Sequence, residues 1–126
     1  MNWILVAFGG GFGAVARYGL GLWAGRTLGS ELPFGTFFAN IAGGLLMGLL
    51  VGWLAFRGEA DQERWRLLLG VGVLGGFTTF SAFSLETALM IERRHWEIAA
   101  IYIVSSVLFS VGALFVGLWL GRRFFA

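Results

Sequence analysis

Four long apolar stretches run along the chain, from about Trp3 to Gly25, Phe34 to Phe56, Leu67 to Met90 and Ile98 to Gly121. Each matches the roughly 20 apolar residues that a helix needs to cross about 30 Å of hydrocarbon. The connectors between them, Arg26 to Pro33, Arg57 to Arg66 and Ile91 to Glu97, are short and hold most of the charge. Pro33 stands just ahead of the second stretch, where proline suits a helix start. The pattern predicts an all-α membrane protein with one four-helix transmembrane domain over residues 1–126. No repeat, linker or low-complexity tract divides it. Ala14-Val15-Ala16 has the small-residue look of a signal-peptide cleavage site. No basic residue precedes the apolar run, however, and the run continues past it, so retention is expected.

Composition supports lipid as the solvent. Of 126 residues, 58% are hydrophobic and 13% charged, where a soluble domain carries about 25% charged. The mean hydropathy is +0.82. A soluble monomer of this size would expose apolar patches far above a few hundred Å². A soluble enzyme, a secreted disulfide scaffold and a nucleic-acid-binding domain are excluded. The sequence pI near 9.9 comes from nine Arg and no Lys against seven acids, for a net charge of +2. Basic residues never run longer than two, so no nucleic acid partner is expected. With no Cys and a lone His95, neither a thiolate site nor a His-rich metal site is available.

Orientation in the membrane follows the Arg distribution over short loops. Four spans put both termini and the second connector on one side, with Arg57, Arg64, Arg66, Arg122 and Arg123; Arg26, Arg93 and Arg94 lie on the other. Five against three is a weak bias. It is compatible with insertion in both directions, and hence with an antiparallel homodimer, as well as with one fixed topology. Glycine adds a packing signal. Gly9-Gly13, Gly21-Gly25 and Gly44-Gly48-Gly52 are small-xxx-small steps that let helix backbones approach closely. Four helices alone make a thin wall for a pore, so oligomerisation is expected.

Polar groups at membrane depth usually serve a pathway or a partner. Arg17 lies past the middle of the first span and either snorkels to the interface or faces such a pathway. Asn40, two turns into the second span, could equally bond a neighbouring helix. The run Gly75-Gly76-Phe77-Thr78-Thr79-Phe80-Ser81-Ala82-Phe83-Ser84 is a poor continuous helix, because glycine and β-branched residues lower helix propensity and hydroxyls compete for backbone bonds. A break is predicted in the third helix. It would free carbonyl oxygens of the kind that suit a hard cation such as Na⁺. The competing reading is an ordinary helix whose hydroxyls bond back to the i−4 carbonyls. Phe80 and Phe83 share a helix face; the pair is either plain core or a pair of electropositive ring edges that hold an anion. Glu86 follows one turn on. Tyr102, Ser106 and Ser110 form a stripe of hydroxyls along the fourth span, serving either interhelical bonding or a polar track. No nucleophile stands beside a base, and Gly9-Gly10-Gly11-Phe12-Gly13 lies within a helix, so catalysis is not expected.

The 75–84 run, with Asn40 and Arg17, closely resembles the Fluc (CrcB) fluoride channel family. The match covers length, number of spans and motif order, and the Gly-Gly-x-Thr-Thr-Phe-Ser-x-Phe run is its specific part. The resemblance implies a dual-topology homodimer with two antiparallel pores, in the bacterial plasma or inner membrane, that lets fluoride leave the cytoplasm passively. It implies that Phe80 and Phe83, with Ser81 beside them, line each pore, and that Asn40 supplies an amide donor. Tyr102, Ser106 and Ser110 match the polar track. Structural Na⁺ at the dimer centre would be held by the backbone carbonyls of Gly75 and Thr78. Arg17, Thr36, Thr79 and Glu86 match positions of pore or structural support. Fluoride is small and strongly hydrated, so a pore must replace its water with several donors without trapping it. The rival reading is a small dual-topology multidrug or cation exporter. Its proton coupling would want a carboxylate in the first span, which offers Arg17 instead.

Overall fold

The computed structural model describes residues 1–57 and 61–125. Helix α1 spans Asn2–Leu28 and α2 Phe34–Arg57. A compound third span follows: α3 (Gln62–Trp65), a π-helical stretch Arg66–Leu74, α4 (Gly75–Phe77) and α5 (Ser81–Glu92). Helix α6 covers Trp96–Phe125. Four spans, Asn2–Leu28, Phe34–Ala55, Gln62–Glu92 and Trp96–Phe125, are long and apolar enough to cross a membrane. Strands are absent among the described residues. Part of the second connector, residues 58–60, lies outside them.

The spans overrun their apolar limits because the flanking residues are also good helix material. Arg26 sits in the last turn of α1 and Arg122 and Arg123 in the last turn of α6, where positive charge complements the helix dipole. The Arg123 guanidinium lies 5.5 Å from the centre of the Trp119 ring, an arrangement suited to a membrane interface.

Glycine brings the helices together as backbone against backbone. A Cβ added at Gly48 would lie 2.7 Å from the Leu118 amide nitrogen, and one at Gly52 would lie 2.9 Å from Gly121 Cα. Helices α2 and α6 therefore meet along Gly44, Gly48 and Gly52. On the other side of the molecule, a Cβ at Gly9 would lie 3.0 Å from Gly72 Cα, which docks α1 on the π-helical stretch. A Cβ at Gly21 or at Gly25 would meet nothing within 4 Å, although one added at Gly35 would lie 2.8 Å from Gly21 Cα. Buried side chains form two small clusters, Leu50, Leu54 and Leu74, and Met90, Ala99 and Tyr102. Trp3, Phe8 and Phe12 on α1 and Phe109, Phe115 and Trp119 on α6 are exposed, as expected where lipid or another helix is the neighbour.

The predicted break is present, displaced from its expected start. Gly75–Phe77 stays helical, and Thr78 is the first residue to leave, at φ −84° and ψ 157°. Helix α5 resumes at Ser81. Back-bonding also occurs, since the Thr78 and Ser84 hydroxyls donate to the Leu74 and Phe80 carbonyls at 2.9 and 2.8 Å. The two readings of the hydroxyls thus hold together.

Candidate functional site

The break is held from two other helices. Asn40 on α2 donates from Nδ2 to the Thr79 carbonyl at 3.1 Å and accepts the Thr79 N–H on Oδ1 at 2.8 Å. Arg17 on α1 donates from Nε to the Gly76 carbonyl at 3.4 Å. Within the break, the Thr79 hydroxyl accepts the Ala82 N–H at 3.1 Å and lies 3.2 Å from Ser81 Oγ. Asn40 and Arg17 are thus brought onto the motif that they flank in sequence only at a distance.

A cavity of about 420 Å³ opens beside the break. Asn40, Thr78, Thr79, Phe80 and Phe83 line one side, and Ser106 and Ser110 of α6 line the other. The Ser106 and Ser110 hydroxyls are buried and have no hydrogen-bond partner among the described residues. Among the described residues no carboxylate, Lys or Arg lines the cavity. Its walls are otherwise apolar, formed by residues such as Met47, Val111 and Leu114. It offers a few neutral polar groups on an apolar wall, a lining from which a small ion can bind and leave. Phe80 and Phe83 have ring centres 5.7 Å apart, and Phe80 is 78% exposed. The cavity's outer wall is therefore open in a single chain.

Tyr102 stands apart from the two serines of its stripe. Phe83 and Tyr102 continue the row of rings at 5.1 Å, yet Tyr102 lines a second, apolar cavity of about 160 Å³ with Phe37 and Met90. Its hydroxyl donates to Glu86 Oε1 at 3.1 Å, and the Thr36 hydroxyl donates to Glu86 Oε2 at 3.0 Å. Glu86 is thereby the centre of a three-helix polar knot, one turn beyond the cavity. Among the described residues no three His, Cys, Asp or Glu side chains gather as metal ligands.

Three features escaped the sequence reading. Gly43 faces the Thr78 side chain, and a Cβ there would clash with the Thr78 methyl; it lies one residue before the Gly44 that the spacing did identify. The Thr87 hydroxyl is buried without a partner among the described residues. The Thr79 hydroxyl accepts the Ala82 N–H from just ahead of α5, whose N-cap is Phe80.

The family model described as CrcB-like protein, Camphor Resistance (CrcB), matches residues 4–118. The chain belongs to the CrcB family. It is 62% identical to "Fluoride-specific ion channel FluC" of Caulobacter sp. (strain K31) over 123 residues, covering 98% of this chain and 96% of that protein. It is 65% identical to the protein of the same name from Phenylobacterium zucineum (strain HLK1), covering 98% and 97%. The Hyphomonas neptunium protein of that name is 55% identical, covering 99% and 98%. The CrcB match takes in every residue of the site, from Arg17 to Ser110, and the chain is a multi-pass membrane protein.

Proposed function

We propose that the chain is a fluoride-selective channel that lets fluoride leave the cytoplasm passively and so lowers its toxicity. The observation that carries this reading is the cavity beside the break. Among the described residues it combines two unpartnered buried hydroxyls, an amide and two aromatic rings, with no charged side chain on its wall. The relatives named as fluoride-specific channels support it. The exporter reading needs a carboxylate open to substrate and protons. Glu86, which lies within the third span, has both its oxygens taken by hydroxyl donors, and it does not line the cavity. No catalytic residue is assigned.

The working form is an antiparallel homodimer with two pores, seated in a bacterial inner membrane. The exposed Phe80 and the open cavity wall call for a second copy. Phe80 and Phe83 would present ring edges to the ion, with Ser81, Asn40, Ser106 and Ser110 as donors, Tyr102 at the end of the row, and Arg17, Thr36, Thr79 and Glu86 as support. Na⁺ would bind the Gly75 and Thr78 carbonyls of both copies, bracing the dimer and adding positive charge near the anion path. The residues fit that ion, because oxygen ligands without carboxylates suit a monovalent hard cation.

Liposomes loaded with fluoride should release it once a cation ionophore cancels the charge imbalance, and chloride-loaded liposomes should not. Release that requires a proton gradient would sink the channel reading. Phe80→Ile or Phe83→Ile should slow efflux by roughly tenfold, the scale of losing about 1–1.5 kcal/mol of aromatic interaction. Unchanged efflux in both would return the pair to plain core. Because the Arg bias is weak, a terminal tag probed in intact cells should be accessible in roughly half the molecules. Uniform protection or uniform exposure would mean one fixed topology.

A further inference from the structure

An interruption at membrane depth releases backbone groups that lipid cannot satisfy. In a continuous α-helix the Gly75 carbonyl would accept from the Thr79 N–H, and the Thr78 carbonyl from the Ala82 N–H. Both donors are turned elsewhere by side chains. The Thr79 N–H goes to Asn40 Oδ1 at 2.8 Å, and the Ala82 N–H goes to Thr79 Oγ1 at 3.1 Å. Asn40 completes its grip by donating to the Thr79 carbonyl at 3.1 Å. The neighbouring carbonyls are treated differently. Leu74 receives both the N–H and the hydroxyl of Thr78 at 2.9 Å, and Gly76 receives Arg17 Nε at 3.4 Å.

We infer that Asn40 and Thr79 are positioning residues for a cation: their side-chain oxygens withhold the helical donors from the Gly75 and Thr78 carbonyls and keep those two oxygens available as ligands. The inference rests on the cation site proposed together with the channel reading, and not on fluoride transport itself. It adds which side chains make the site, and by what means. Asn40 also lines the cavity, so one amide belongs to both the anion path and the cation site. The Thr79 hydroxyl has the narrower role. It takes the Ala82 N–H in the first turn of α5, and without it that N–H has the Thr78 carbonyl as its helical acceptor.

Thr79 therefore gives the clean test, because valine keeps its shape and loses its oxygen, while serine keeps the oxygen. The probe is Na⁺ itself, titrated into full-length purified protein against N-methyl-D-glucamine at constant ionic strength, with the thermal unfolding midpoint as readout. The wild-type protein should gain stability with Na⁺. Thr79→Ser should titrate within about twofold of it, a difference of about 0.4 kcal/mol. Thr79→Val should need at least about tenfold more Na⁺, or about 1.4 kcal/mol. If the valine variant does not fold, Thr79→Ala carries the same expectation. A Thr79→Val protein that titrates like wild type overturns the inference, and so does an equal loss in Thr79→Ser, which would trace the effect to shape. Wild-type stability indifferent to Na⁺ overturns it together with the cation site, and leaves fluoride efflux to the liposome assay. A Na⁺ response shifted as expected, in a protein without fluoride efflux, would keep the inference and sink the channel.

Discussion

Replacing Asn40 by alanine is expected to reduce fluoride efflux at least about a hundredfold and to destabilise the third span. The first loss is local. Asn40 is an amide on the cavity wall, and Ala offers nothing in its place. The second loss is larger, because both backbone groups of Thr79 depend on that amide. Each group left unsatisfied in a water-free setting costs several kcal/mol, and a barrier increase of about 2.7 kcal/mol already slows transport a hundredfold. Asn40→Asp separates the two effects. It keeps an oxygen for the Thr79 N–H but sets a carboxylate against the Thr79 carbonyl and in the path of an anion. Efflux should be lost while more of the fold survives. The measurements are electrode-recorded efflux from liposomes and thermal unfolding of the purified variants. Efflux within tenfold of wild type in Asn40→Ala would remove Asn40 from both roles.

The spans were legible because length and apolarity are enough to place a helix in lipid, and four stretches met both conditions. The break was legible as a region, since Gly75-Gly76 and the Thr and Ser that follow weaken a helix locally. Its start was not. Local propensity points to the glycines, yet Gly75–Phe77 remains helical, because the donor that leaves the helix is captured by Asn40, 39 residues away in sequence. Arg17 shows the same limit. Its depth left it either snorkelling or facing inward, and the Gly76 carbonyl that it reaches belongs to another helix. The partners of Glu86 come from α2 and α6, and no spacing within one helix reports them. Tyr102, Ser106 and Ser110 share one face of α6, but the surroundings of that face change along its length, from the small cavity with Phe37 and Met90 at Tyr102 to the larger one shared with Asn40 and Thr79 at the serines. The π-helical geometry of Arg66–Leu74 left no mark in the apolar pattern. Gly117 and Gly121 also went unread, because their importance lies in the glycines they face on α2.

Those facing glycines carry the largest expected effect on stability. Gly48→Ala should push α2 and α6 apart and lower stability by about 3 kcal/mol or more, at or beyond the upper end of the usual overpacking range. The added Cβ would lie 2.7 Å from the Leu118 nitrogen and 2.9 Å from the Gly117 carbonyl carbon, with the Leu114 oxygen closer still. These are backbone atoms of a rigid helix, so no rotamer change makes room for it. Relief requires the helices to separate, which also loosens the contacts at Gly44 and Gly52. In lipid those contacts hold the pair together, since van der Waals packing replaces the hydrophobic drive between helices. Function should fail with the packing. A Cβ at Gly44 would lie 2.5 Å from the Ser110 carbonyl oxygen, so the same interface sets the distance between Asn40 on α2 and the serines across the cavity. Gly25→Ala is the matched control, with nothing within 4 Å of its added carbon, and should leave stability and efflux close to wild type. Thermal unfolding of both variants in one lipid or detergent decides the matter. A Gly48→Ala protein within about 1 kcal/mol of wild type would mean that α2 and α6 are not in backbone contact when the protein is folded in a membrane.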